Sequence, residues 1–284
     1  MDGILLVNKD RGLSSQAVLT KLKHVLGEAK VGHCGTLDPM AEGVLVVLLG
    51  SATKLSSYLL EKDKEYEARA LLGVETNTYD IEGEVVNKKE VSGIKESQID
   101  EVLSSFIGPQ MQTPPIYSAI KVSGRKLYDY ALKGDSVEIV PRSITIFDIK
   151  RTTDLINNEF SFSVHASKGT YIRSLVHDAG IKLNTFATLT HLTRTRSGNF
   201  SLSECYTLSD IEKGNFKLIK MADAIDLEKV EIDSDTYKKV SFGGKVSFKD
   251  VNSSAIEVAL LYKGKLCAIY KREESYYKAV RVWN

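Results

Sequence analysis

The chain has 284 residues, 43% of them hydrophobic and 26% charged, with a formal net charge of +1. That length admits one large domain or a large and a small one, and the composition is that of an ordinary soluble globular protein. The longest apolar run, Val44 to Leu49, is far too short for a bilayer, so no membrane association is expected, and global charge offers no reason to bind a polyanion. Cys34, Cys205 and Cys267 are widely spaced and the five histidines are scattered. Neither a disulfide framework nor a metal-ligand pattern follows, which points to a reducing compartment and no metal.

In chain order, Gly3 to Val7 reads as a first strand and not as a signal peptide, because Asp2 precedes it and no basic n-region or cleavage site is present. "SSQAVLTKLKHVLG" predicts a helix opened by Ser14 or Ser15 and closed near Gly27. Val44 to Leu49 suits a buried strand. "KEYEARALLG" alternates Tyr66, Ala68, Ala70 and Leu72 against other neighbours, the period of a half-buried strand. Asn77 to Ser97 is polar and reads as a surface connection. "SQIDEVLSSFIG" predicts a helix with Ser97 as N-cap and Gly108-Pro109 as its stop. Ser143 to Lys150 and Glu159 to Ala166 read as strands, and "TYIRSLVHDAGIKL" returns to helical period. From about Asp223, "AIEVALLYKGKLCAIYKR" and its neighbours predict a small β-rich, separable appendage with a turn at Lys263-Gly264-Lys265. Strands and helices do not alternate regularly, so an α+β fold with a mixed or antiparallel sheet is expected.

Two places raise chemistry. In "VGHCGTLDPMAEGVL", Gly32, Gly35 and Gly43 surround Asp38, and Pro39 biases Asp38 toward extended backbone. A carboxylate fixed on a stiff loop ahead of a buried strand suits catalysis, although Asp-Pro is also a common turn pair. In "HASKGTYIRSLVHDAG", Arg173 falls in the first turns of a helix after a strand. An arginine facing Asp38 would hold its geometry and favour its ionised form. Basic residues also gather in "KVSGRKL", around "SKGTYIR" and in "TRTRSG" (Arg194, Arg196). Such local clusters can attract a polyanion within a Debye length of roughly 8–10 Å, or can be plain solvated surface.

"GHCGTLDPMAEGVL" resembles the catalytic motif of the TruB-type tRNA pseudouridine synthases, G-H-x-G-x-L-D-P-x-A-x-G-x-L. "GILLVNKDRGLSS", "KEYEARALLG", "QTPPIYSAIKVSGRKLYDYALKG", "SKGTYIRSL" and "HLTRTRSGNF" are similar to five further segments of that family, in its order, over about residues 1 to 210. The resemblance implies the pseudouridine synthase fold: a mixed, largely antiparallel central sheet flanked by helices. It implies a catalytic domain over 1–222 with an RNA-gripping insertion at about 113–142, and a PUA-like RNA-binding domain over 223–284.

What the family implies chemically is isomerisation of the uridine conventionally numbered 55 in the T loop of tRNA, by a cytoplasmic monomer without cofactor, metal or obligatory protein partner. Asp38 matches the catalytic aspartate, acting at C1′, at C6 or along a glycal route, with Arg173 as its partner. Tyr66 matches the tyrosine that stacks on the target base and can take the C5 proton. Tyr171 and Leu192 match residues lining the uracil pocket. His33 matches the histidine that displaces the nucleotide, which must leave its stack at a cost of a few kcal/mol. Lys9, Lys121, Arg125, Lys126 and Arg142 are the expected contacts to the RNA backbone, positioning the RNA without reading its sequence.

The chain departs from the family pattern at Asp10, where a proline is usual, at Asn77 for an aspartate, and at Leu132 and Thr193, where arginines are common. Competing readings are a non-catalytic tRNA-binding protein of this architecture, a member of the guide-RNA-dependent branch, and a glycoside hydrolase. The last would need a second acid near Asp38, for which Glu42 is the local candidate.

Overall fold

The computed structural model describes residues 1–283. The chain opens with β1 (Gly3–Lys9), α1 (Ser15–Leu26), β2 (Val31–Cys34) and β3 (Glu42–Leu49). After α2 (Ser56–Leu60) come β4 (Lys64–Leu72) and a hairpin of β5 (Val74–Thr76) and β6 (Val85–Lys88). Next are α3 (Glu96–Ser104), β7 (Gly108–Gln112), a small hairpin of β8 (Lys121–Val122) and β9 (Arg125–Lys126), and α4 (Leu127–Lys133). The N-terminal part closes with β10 (Arg142–Arg151), β11 (Glu159–Ala166), α5 (Ile172–Lys182), β12 (Ala187–Ser197), β13 (Phe200–Ser201) and α6 (Leu208–Glu212). The last part holds β14 (Glu228–Glu231), α7 (Ser234–Ser241), α8 (Phe248–Val251), β15 (Glu257–Tyr262), β16 (Lys265–Arg272) and β17 (Tyr277–Val282).

Nine strands make one sheet in the order β1-β3-β12-β4-β11-β10-β7, with β2 added to β3 and β13 to β12. Its pairings are antiparallel except β3 with β12. A second sheet, β14-β15-β16-β17, is parallel only in its first pair. The architecture is therefore α+β with a mixed, largely antiparallel central sheet and a β-rich C-terminal part.

Local signals account for most elements. Ser14 caps α1 through Ala17 N–H, and Gly27 ends it in the left-handed region at φ 61°. β11 alternates buried and half-buried residues along its whole length, as period 2 requires. Helix α3 starts earlier than its sequence indicates. Its N-cap is Lys95, whose backbone N–H donates to the Gln98 side chain, so Ser97 lies inside the first turn. Gly108-Pro109 does not merely stop that helix; it opens β7, where a proline is tolerated because β7 is a sheet edge. Asn77 to Ser97 is more than a surface connection, since it carries β6 and the buried Asp80.

β3 reads as an unbroken apolar run because both faces are covered. Leu45, Val47 and Leu49 join Leu5 and Val7 in a core with α1 and α5, while Val44, Val46 and Leu48 join Ile4 and Leu6 in a second core. That second core runs into the C-terminal part through Ala259, Leu266, Ile269 and Trp283. The division expected after residue 222 falls in a turn, but the apolar cluster crosses it, so the appendage is not separable as the sequence implied. Trp283 is 5% exposed and donates its indole N–H to Ser51 O at 3.0 Å, and Tyr58 bonds Glu257 at 2.6 Å. Trp283→Ala is expected to cost about 3–5 kcal/mol of stability, lowering the melting temperature of the whole chain in one transition. A second, separate transition for the C-terminal part in calorimetry would contradict this shared core.

Candidate active site

Asp38 sits in the loop between β2 and β3. Ser15 Oγ accepts from Leu37 N–H at 2.8 Å and donates to Leu37 O at 3.0 Å, so the start of α1 pins the residue before the acid. Pro39 O accepts from Gly12 N–H at 2.7 Å, and Ala41 N–H closes back onto Asp38 O at 3.1 Å. Leu37, Met40 and Ala41 are buried on either side of the pair. Gly43 has φ 102°, and a Cβ there would lie 2.3 Å from Arg194 O, so only glycine lets β3 start against β12. The loop backbone is thus fixed while the Asp38 side chain stays 36% exposed.

Arg173, from the first turn of α5, meets that carboxylate from behind. Its Nε lies 2.9 Å from Asp38 Oδ2, an ion pair in which the N–H is not aimed straight at the oxygen. The side chain is 4% exposed, so its other nitrogens need partners: Nη1 donates to Thr78 O at 3.0 Å and Nη2 to Tyr117 O at 2.9 Å. Asp80 Oδ2 lies 3.5 Å from Nη1 and is almost fully enclosed. Burial pushes the Asp80 carboxyl above its ordinary range, against the opposing pull of Thr78 Oγ1, which donates to it at 2.7 Å, and of Arg173. Asp80 was not among the residues expected to form the site: it lies in a polar stretch, and only the fold brings it to Arg173.

Tyr171, the N-cap of α5, is held by Gln112 through both backbone groups, at 2.8 and 3.0 Å. Burial raises its phenol pKa, and the Asp38 charge raises it further, which places the hydroxyl in the field of that carboxylate. Arg142, exposed on β10 directly across from Gln112, acts on the same phenol. Tyr66 on β4 and Leu192 on β12 belong to the same apolar cluster as Leu37, Met40 and Ile172. His33, half-buried on β2, keeps an unpartnered Nδ1, and burial followed by the Arg194 charge lowers its pKa.

The expected RNA contacts divide. Lys121 and Lys126 are exposed and directly opposite one another across the β8–β9 hairpin, an unfavourable like-charge pair that an anion would relieve. Arg125 is turned inward, paired with Asp135 at 2.6 Å and stacked 4.1 Å over the Tyr130 ring. Lys9 corrects the sequence expectation outright. Its side chain is fully buried, with Nζ donating to Leu13 O at 2.6 Å, Asp10 O at 3.0 Å and Pro39 O at 3.4 Å. It braces the Asp38 loop and cannot reach a phosphate. Arg194 is equally misread as surface charge: it is 1% exposed and donates to Val44 O and Gly35 O beneath the same loop. Arg196 is committed to Asp63 and Glu65. Glu42, the possible second acid, accepts from Thr193 Oγ1 at 3.1 Å and lies 3.3 Å from His191 Nε2, so its carboxylate is engaged at the sheet.

A stiff loop presenting one carboxylate, clasped by a buried arginine, can serve as nucleophile or base toward a ligand. The same fold occurs in a solved Cbf5-Nop10-Gar1 complex, matched over 99% of this chain and 84% of that one with a TM-score of 0.75 and 27% identity. Residues 23–172 match the TruB family pseudouridylate synthase N-terminal domain, and residues 173–230 match the tRNA pseudouridylate synthase B C-terminal domain. A tRNA pseudouridine synthase B of Halalkalibacterium halodurans is 39% identical over 97% of this chain and 94% of its own length. That of Mesoplasma florum is 42% identical over 95% and 94%. The chain belongs to the TruB family of pseudouridylate synthases and is an isomerase of that type.

Burial lowers the Lys9 pKa from 10.5 to about 8. Below about pH 8 both folded and unfolded chains carry the proton, and the burial penalty is present in full. Between pH 8 and 10.5 the unfolded chain binds more protons, so this group's contribution to stability rises with pH. The difference in unfolding free energy between wild type and Lys9→Met should shift toward the wild type by about 3 kcal/mol across that window. A pH-independent difference in chemical denaturation would show that the ammonium is not held as described.

Proposed function

We propose that this enzyme converts the uridine numbered 55 in the T loop of tRNA to pseudouridine, with Asp38 as the catalytic carboxylate acting on a flipped-out nucleotide. One observation carries the reading: Asp38 is the exposed end of an ion pair whose other end, Arg173, is buried. The relatives named tRNA pseudouridine synthase B support tRNA as the substrate. In the reaction the C1′–N1 bond breaks, uracil turns, and C1′–C5 forms. C5 loses its proton and N1 gains one, so no redox partner or group donor is consumed. Attack at C1′, attack at C6 and a glycal route all call on the same carboxylate. A partner cation that steadies its charged form suits each of them.

The remaining residues take their roles around that step. Tyr66 stacks against the base and receives the C5 proton; Tyr171 and Leu192 form the walls of the base site. His33 fills the space the nucleotide leaves, offsetting part of the unstacking cost. Lys121, Lys126 and Arg142 contact phosphates and position a stem-loop recognised by shape. Arg125 serves by holding the insertion together, since its guanidinium is already engaged. We read the protein as a monomer that acts on tRNA in the cytoplasm without cofactor or protein partner.

The direct test is tritium release from an unmodified tRNA transcript labelled at uridine C5, using the purified chain and Asp38→Ala. Release by the wild type alone, with the variant still binding RNA, is the expected result. A wild type that binds and releases nothing would instead support a non-catalytic RNA-binding protein or a missing guide complex. Replacing Lys121 and Lys126 by alanine should flatten the dependence of log affinity on log salt by about 1–2 units. An unchanged slope would remove the hairpin from the phosphate contacts.

A further inference from the structure

Helix α5 docks on the loop after β5 at two levels, one turn apart. Arg173 provides the upper contact, through Thr78 O and Asp80. Four residues on, hence on the same helix face, His177 provides the lower one. Its ring stacks on Tyr79 with centroids 4.0 Å apart and planes 26° from parallel. Nε2 lies 3.1 Å from Glu75 Oε1, and Nδ1 lies 3.1 Å from Asp178 Oδ1.

Two features make this contact more than packing. Tyr79 has φ 63°, a region that residues with a Cβ rarely adopt, and it lies between Thr78 and Asp80, the two residues of this loop that grip Arg173. Its conformation therefore sets the angle between both acceptors. Its backbone is held by Tyr79 N–H to Thr76 O and Leu189 N–H to Tyr79 O, each at 3.1 Å, and its ring by the His177 stack. The imidazole also faces a carboxylate at each nitrogen. A neutral ring has one N–H and one lone pair, so it can satisfy only one of them; the imidazolium donates to both.

We propose that His177, in its protonated form, is a positioning residue that holds Tyr79 and thereby the Arg173–Asp38 pair in catalytic alignment. The inference rests on the reading of Asp38 and Arg173 as the reacting pair. The groups facing the imidazole are Glu75 from β5, Asp178 from its own helix and the Tyr79 ring from the loop. The hydrogen bond to Asp178 is the largest cause of a raised His177 pKa, with burial opposing it and the Asp178 and Glu75 charges adding to it. The proton is therefore kept to a higher pH than an ordinary histidine would keep it. Loss of that proton frees one carboxylate contact, loosens the stack and lets the Arg173 acceptors drift.

The test measures kcat and KM on an unmodified tRNA transcript between about pH 6 and 9 for wild type, His177→Gln and His177→Arg. Arginine is planar, stays charged and can serve both carboxylates while stacking on Tyr79. His177→Gln should lower kcat at the acidic end about tenfold or more with little change in KM, since misplacement near the chemistry is costly. Wild-type kcat should fall on the alkaline side, and His177→Arg should recover kcat and lack that fall. His177→Gln with wild-type kcat at low pH, or His177→Arg retaining the alkaline fall, would overturn the proposal. Should His177→Gln fail to fold, the comparison of wild type with His177→Arg decides alone. An inactive wild type would count against Asp38 chemistry instead, so the two failures are distinguishable.

Discussion

The buried guanidinium of Arg173 is the constraint around which the site is built. Removing an arginine from water costs several kcal/mol unless its donors and charge are answered, and breaking such a pair leaves an uncompensated charge. Here two main-chain carbonyls, Thr78 O and Tyr117 O, come from separate segments, and two carboxylates share the charge. The carboxylates differ in access: Asp80 is enclosed with the arginine, while Asp38 reaches the surface on a loop whose neighbours are nailed to α1 and to the residues after β1. One acid anchors the cation and the other is presented by it. That asymmetry leaves Asp38 as the accessible end of an otherwise buried ion-pair network.

Beneath the loop a different solution recurs. Lys9, Lys64 and Arg194 are all nearly or fully buried, and each donates to backbone carbonyls. Burial holds the Lys9 and Lys64 pKa values down to about 8. Carbonyl dipoles satisfy an ammonium without cancelling its charge, so the Arg194 charge adds to the effect of burial in lowering the Lys64 pKa, and it also disfavours a charged His33. A chain of net charge +1 can in this way keep cationic potential where an RNA-modifying site needs it. The exposed Lys121, Lys126 and Arg142 then add the part that solvent and RNA can reach.

What the sequence disclosed follows the range of the interactions concerned. The Ser14 cap and Gly27 stop of α1, the alternation of β11 and the apolar run of β3 depend on neighbours within a few residues, and each is legible. The Asp38–Arg173 pairing was legible through the resemblance, and the geometry agrees with it. The buried cations were not. Arg194 finds its carbonyls 150 and 159 residues away in the chain, and nothing local separates it from the half-exposed Arg196 two positions later. Lys9 was expected as a backbone contact on the strength of the resemblance; its enclosure comes from the Pro39 loop folding over it. Asp80 was hidden for the same reason, within a stretch whose polarity describes its surface and not its one buried acid.

The two-sided burial of β3 links these observations to the C-terminal part. β3 begins four residues after Asp38, and its rigidity fixes one end of the Asp38 loop. One of its faces rests on α1 and α5, the helix that carries Arg173; the other rests on residues of β15 and β16 and on Trp283. Without that second cover, Val44, Val46 and Leu48 would meet water, and an unbroken apolar strand has no alternative face to turn outward. The C-terminal sheet therefore completes the support of β3, and through it of the Asp38 loop, before any role it takes toward RNA. Loss of affinity after truncation there would mix both effects, whereas substitutions of exposed residues such as Lys263 or Lys265, which leave the shared core intact, would isolate an RNA contribution.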